Sequence, residues 1–142
     1  MKTLKHLNLL IIIAILTGSF ILFSFHIPQD KKKPAPWPVP AKYEKMKNPY
    51  AGKTNLNTTG KMLYSKHCKS CHGSKGLGDG PKAAMLKTTC GDFSSAAFQK
   101  NSDGAIYYYS FVGRDEMPNF EKKFPDEEDR WAIVNFIRTL KK

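Results

Sequence analysis

Cysteine is scarce in this chain: three residues in 142. That is too few for a disulfide scaffold, and an odd number leaves at least one thiol outside any pair. Acidic residues are also few, 12 Asp and Glu against 23 Lys and Arg, for a formal net charge of +11. Such an excess governs encounter rather than fold, and suits nucleic acid, an anionic membrane surface, an acidic protein partner or simply a well-solvated surface. No internal repeat is present. At roughly 100–200 residues per domain, the length leaves no room for a second core.

Formal charge is missing altogether from Leu7 to Ile27, where the polar interruptions are Asn8, Thr17, Gly18, Ser19, Ser24 and His26. As a helix rising ~1.5 Å per residue these 21 residues span ~31 Å, the hydrocarbon thickness of a bilayer. A cleavable signal peptide has a shorter apolar run ending in small residues. Here the small residues Thr17-Gly18-Ser19 are followed by a further apolar run, Phe20 to Phe23, so residues 1–28 are expected to be an uncleaved transmembrane anchor. Lys2 and Lys5 flank one end and Lys31, Lys32 and Lys33 the other, so charge counting alone does not orient it.

From residue 29 to residue 57 the composition turns to Lys and Pro, with Pro34, Pro36, Pro38 and Pro40 at every second position. Such a stretch favours an extended polyproline-type conformation and reads as a semi-rigid linker. Trp37 and Tyr43 within it suit either a membrane headgroup region or docking on the domain.

Residues 58–142 read as mostly helical with long loops. Thr58 or Thr59 is expected to cap a helix through His67 that turns Leu63 and Tyr64 inward. A second short helix is expected after Pro81, and a third from Asn101 or Ser102 to Gly113. The last helix has the strongest signal: Asp126 at its start, Glu127, Glu128 and Asp129 in its first turn, and Arg138, Lys141 and Lys142 at its far end. Along it Trp131, Val134, Ile137 and Leu140 mark one buried face.

Cys68-Lys69-Ser70-Cys71-His72 has the spacing of c-type haem attachment, in which two thiols bond the porphyrin and the adjacent histidine ligates the iron. A structural zinc site would need two more Cys or His ligands from His6, His26, His67 and Cys90, two of which lie in or beside the apolar segment. A thioredoxin-like dithiol would need surrounding strands that this region lacks. One covalent haem c is therefore the expected cofactor.

From Gly60 to Leu140 the chain resembles the class I c-type cytochromes. The resemblance rests on Tyr64, Cys68-x-x-Cys71-His72-Gly73, Gly78-Asp79-Gly80-Pro81, Met117-Pro118, and the Arg130-Trp131, Val134 and Phe136-Ile137 positions near the end. It implies an all-α domain wrapped around the haem, with the first and last helices crossing near Gly60 and Tyr64. It also implies that Met117 is the second axial ligand and that the Pro81 carbonyl accepts a hydrogen bond from His72 Nδ1. A neutral thioether in that role raises the reduction potential. Met85 and Met62 are the other candidate ligands, and His67 is poorly placed to reach the opposite face of the iron. Cys90 fits no role in the family and reads as a buried inert thiol, with an intermolecular disulfide or a modified thiol as alternatives.

Haem c is attached on the outer side of energy-conserving membranes. The expected arrangement is thus a single-pass protein of a bacterial inner membrane with the haem domain on the periplasmic side. Nucleic acid is not an expected partner there. Lys66, Lys69, Lys75, Lys82 and Lys87 would ring the haem edge and favour redox partners with acidic docking surfaces. With both axial positions filled, the expected function is one-electron transfer in a membrane-bound respiratory chain, and the chain alone is not expected to be an enzyme. A haem subunit of a larger oxidoreductase is the alternative, as is a ligand-binding or sensory haem protein if Met117 does not ligate.

Overall fold

The computed structural model describes Lys31 and residues 37–142. The expected anchor, residues 1–28, and the prolines Pro34 and Pro36 lie outside the described residues. Among the described residues no helix is long and apolar enough to cross a membrane.

Six α-helices occur among them: α1 (Ala41–Glu44), α2 (Leu56–His67), α3 (Lys69–His72), α4 (Ala96–Gln99), α5 (Asp103–Phe111) and α6 (Glu127–Thr139). A 3-10 turn, Ala83–Met85, lies between α3 and α4. No strand forms among the described residues; the one backbone bridge joins Arg114 to Met117. The expected all-α character of the domain is therefore observed.

The centre of the fold is the crossing of α2 and α6. Every residue from Trp131 to Ile137 is buried, so α6 is enclosed around most of its middle rather than along one stripe. Close approach of the two helices is possible because Gly60 has no side chain: a Cβ there would overlap the carbonyl oxygen of Ala132. One turn on, Tyr64 packs its ring 5.1 Å from that of Phe136 and donates its hydroxyl to the Gly73 carbonyl at 2.8 Å. That bond ties α2 to the segment just after the Cys-x-x-Cys-His sequence. Burial is also what raises the Tyr64 pKa above the ordinary phenol value.

Helix starts follow local chemistry only in part. Ser102 caps α5, its hydroxyl accepting from Ala105 N at 3.1 Å. The first long helix starts at Leu56 rather than after Thr58 or Thr59, because burial of Leu56 draws in an extra turn, and both threonines lie inside the helix. The stretch after Pro81 yields only the single 3-10 turn. Asp126 occupies the cap position of α6 without a side-chain bond.

Two arginines of α6 set its surroundings. Arg130 donates to the carbonyls of Phe124 and Glu121 at 2.6 and 2.8 Å and to the Tyr107 hydroxyl at 2.9 Å, fixing the loop before α6. Arg138 pairs with Asp103 at 2.6 Å and donates to the Gln99 and Asn101 carbonyls, locking the start of α5 to the end of α6.

Residues 37–55, part of the stretch that composition marks as a semi-rigid linker, lie packed on the domain as a strap, the docked arrangement of Trp37 and Tyr43. The Tyr43 ring lies 4.8 Å from that of Tyr108, tilted by 42°, and Met46 and Tyr50 pack against the core. Asn48 donates to Asp103 and Asn135 at 3.1 and 2.8 Å, while Asn135 donates to the Tyr50 carbonyl at 2.8 Å. Gly104 admits the strap backbone, since a Cβ there would overlap the Tyr43 carbonyl oxygen. The strap is held by these ring contacts and amide hydrogen bonds, which its proline content does not reveal. Lys31–Lys142 accordingly forms one compact unit.

Candidate haem site

Cys68, Cys71 and His72 come together because α2 ends at His67 and one further turn, α3, follows at once. Cys71 N and His72 N both donate to the Cys68 carbonyl, at 3.2 and 3.0 Å. A single turn thus sets both thiols and the imidazole on one wall of a cavity of about 870 Å³. That volume lies in the range, about 300–1,000 Å³, of sites that enclose a whole organic ligand. Both thiols are free, as is Cys90.

Burial pushes the Cys68 thiol up to about 12, with Cys71 adding to the effect, so it is held as a neutral thiol. Burial likewise pushes the His72 imidazole down to about 4. It is therefore neutral near pH 7, the state in which a ring nitrogen can ligate iron. The ring is stacked on Phe93, centroids 4.3 Å apart and planes 23° apart.

His72 Nδ1 is buried without a hydrogen-bond partner. The bond expected to the Pro81 carbonyl is thus not made in this structure. The ring instead stacks on Phe93, and beside Pro81 Lys82 N donates to the Ser70 carbonyl at 2.8 Å.

Met117 lines the same cavity as the two cysteines and His72. It closes a turn in which Arg114 N donates to the Met117 carbonyl at 2.9 Å and Met117 N to the Arg114 carbonyl at 2.8 Å. Met62 and Met85 are 61% and 81% exposed and are not on the cavity wall. His67 is on the wall, its ring edge-on to Phe124 at 5.1 Å. Cys90 is only half-buried, on the wall, and its thiol is raised first by burial and then by Cys71.

Of the five lysines expected at the haem edge, Lys66 and Lys82 line the cavity; Lys69, Lys75 and Lys87 are exposed but do not. Lys123 joins the two on the wall, and Asp115 and Glu116 place acidic groups there too. Glu116 accepts from Lys87 N, Thr88 N and the Thr88 hydroxyl, all within 3.0 Å, which holds its carboxyl below the ordinary value. Phe93, Trp37, Arg114 and Phe120 are wall residues to which sequence reading gives no place at the site. Aromatic and cationic side chains in irregular segments carry no periodic signal, so nothing local marks them.

The donor set also bears on other cofactors. Among the described residues no three or more His, Cys, Asp or Glu side chains converge as a metal cluster. Two free thiols and one neutral imidazole with a buried, unpartnered nitrogen, on a cavity wall that includes Phe93, Phe98 and Phe120, instead fit a haem held by two thioether bonds and a histidine.

A helical shell built around such a wall defines a covalent haem protein. The family model for cytochrome c matches residues 57–141, and the chain belongs to that family. Its cofactor is haem c with iron, attached covalently, and its activity is haem-based electron transfer. No curated protein matches the chain.

Proposed function

We propose that this protein is a one-electron carrier in a membrane-bound respiratory chain, with His72 and Met117 as the two axial ligands of its haem iron. The observation that carries this reading is the shared cavity: of the methionines among the described residues, Met117 alone lines it beside Cys68, Cys71 and His72. Thioether ligation favours the ferrous state and raises the potential, and two protein ligands leave no iron position for substrate. The chain by itself is then a carrier and not an enzyme.

The apolar segment Leu7–Ile27 supports an anchor in a bacterial inner membrane, with the domain on the periplasmic side where haem c is attached. Lys66, Lys82 and Lys123 at the cavity support a docking face for acidic redox partners.

Bound haem supplies a reversible ferric–ferrous couple. The chain's residues do the rest: Cys68 and Cys71 hold the porphyrin, buried His72 offers a neutral nitrogen, and Phe93, Phe98 and Phe120 give the cavity apolar surface.

The test is the ferric absorption spectrum of the haem-loaded protein beside that of Met117→Ala. A weak far-red methionine-to-iron band present in the first and lost in the second supports the reading. Absence of the band in the wild type, with carbon monoxide uptake by the ferrous form, points to ligand binding instead.

A further inference from the structure

Met117 is carried by a short turn that holds itself only in part, through two backbone bonds and an Arg114 Nε that lies 3.7 Å from Asp115 Oδ2. Between its two Arg114–Met117 backbone bonds, Asp115 takes a left-handed φ of 48°, uncommon for a residue with a side chain. Asp115 and Glu116 are both exposed, so packing of the turn's own side chains does not stabilise it. Contacts from outside brace it, Phe120 N donating to the Phe111 carbonyl at 2.8 Å just beyond the turn. Glu116 grips the backbone of Lys87 and Thr88 from one side. From the other, the Arg114 guanidinium lies 4.7 Å from the centre of the Trp37 ring.

Trp37 is itself firmly seated. Its ring lies 5.0 Å from Tyr109 and 5.8 Å from Tyr108, and its carbonyl accepts from the Tyr109 hydroxyl at 3.3 Å. Behind it the strap is pinned to α5 and α6 through Tyr43 and Asn48. Trp37, Arg114 and Met117 all line one cavity.

We propose that Trp37 is a positioning residue for Met117: by stacking on Arg114 it holds the 114–117 turn where the thioether meets the haem iron. The proposal rests on the reading of Met117 as an axial ligand. The strap that leaves the domain toward its N-terminal segment is thereby part of the redox site. It sets how readily the second ligand leaves ferric iron, the oxidation state that binds a neutral thioether less strongly.

The experiment uses the full haem-loaded chain in its ferric form and measures displacement of the methionine by added imidazole. Apparent imidazole affinity scales with the fraction of molecules whose ligand is off the iron, so loosening the turn is expected to raise it about tenfold in Trp37→Ala. Trp37→Phe retains an aromatic face and is expected to stay within about twofold of wild type. Arg114→Met removes the cation from the other side of the same contact. It should show the same rise as Trp37→Ala, and the double variant no further rise.

A wild-type affinity in both Trp37→Ala and Arg114→Met, with the far-red band intact, overturns the positioning role while leaving Met117 as ligand. Additive rises in the double variant also overturn it, because the two residues then act separately. Absence of the band in the wild type, with imidazole binding unaffected by Met117→Ala, removes the ligand reading first and the positioning role with it.

Discussion

Phe93 stacks face to face on His72, with ring centroids 4.3 Å apart. The two residues are 21 positions apart, and His72 Nδ1 has no hydrogen-bond partner in the described structure. The ring thus has an aromatic neighbour where a metal-bound histidine commonly has a carbonyl or carboxylate partner. Replacing Phe93 with Ala is expected to cost about 2 kcal/mol, less than truncating a fully buried aromatic because the ring is only half-buried. Denaturant unfolding of the haem-loaded protein measures it. Phe93→Leu, which keeps bulk but not the flat face, should recover most of the stability while still shifting the reduction potential.

The helix crossing is predicted to be intolerant of a single methyl group. In Gly60→Ala the new Cβ meets the Ala132 backbone, which cannot rotate away, and a loss of about 3 kcal/mol is expected. Tyr64→Phe, which removes only the hydroxyl donated to Gly73, should cost about 1–2 kcal/mol. Comparing the two by chemical denaturation separates helix approach from the polar tie.

Gly104→Ala tests the strap. The added Cβ collides with the Tyr43 carbonyl, so α1 and its neighbours are expected to lift while α2 and α6 stay packed. Limited proteolysis should then cut within 37–55 in the variant under conditions that leave the wild type whole. Equal resistance of the two proteins counts against a packed strap.

Acid should weaken the segment that carries Phe93. Asp92 accepts from Ser94 through its hydroxyl and its N–H, at 2.6 and 2.8 Å, and the hydroxyl bond first of all holds the carboxyl below its ordinary value. A carboxyl depressed on folding contributes stability above the unfolded-state pKa, and that contribution fades as pH falls through the folded value. Unfolding midpoints are therefore expected to drop on acidification below about pH 4, and less steeply in Asp92→Asn, whose side chain does not titrate.

Docking is expected to be sensitive to salt and charge. Reversing Lys66, Lys82 and Lys123 together should slow electron transfer to an acidic partner protein about tenfold or more at low ionic strength, with the difference shrinking as salt is added. Stopped-flow mixing with such a partner measures it. Equal rates in both proteins would assign these lysines to solvation alone.

Much of the site was legible in the chain because haem attachment is local: Cys68, Cys71 and His72 lie within a single helical turn, so spacing alone places them together. The C-terminal helix was legible for a similar reason, its acidic first turn and recurring apolar residues lying within 13 residues. The pairing of Gly60 and Tyr64 with that helix came from family resemblance, and the fold has it. The Pro81 contact came from the same source and is absent, because a hydrogen bond depends on orientation that a motif does not specify.

What only the tertiary structure decided are contacts between segments far apart in sequence. Phe93 against His72, Trp37 over Arg114, and Asn48 bonded to Asn135 join residues with no shared periodicity. The strap is the plainest example. Proline content describes how residues 29–57 behave alone, whereas the docking of residues 37–55 depends on Gly104 leaving room for the Tyr43 backbone and on aromatic rings of α5 that only the folded chain presents. The sequence by itself determined the thiol and imidazole atoms of the covalent-haem motif, Cys68, Cys71 and His72. The tertiary structure decided which rings and turns hold those atoms in place, since that requires surfaces that form only when the helices pack.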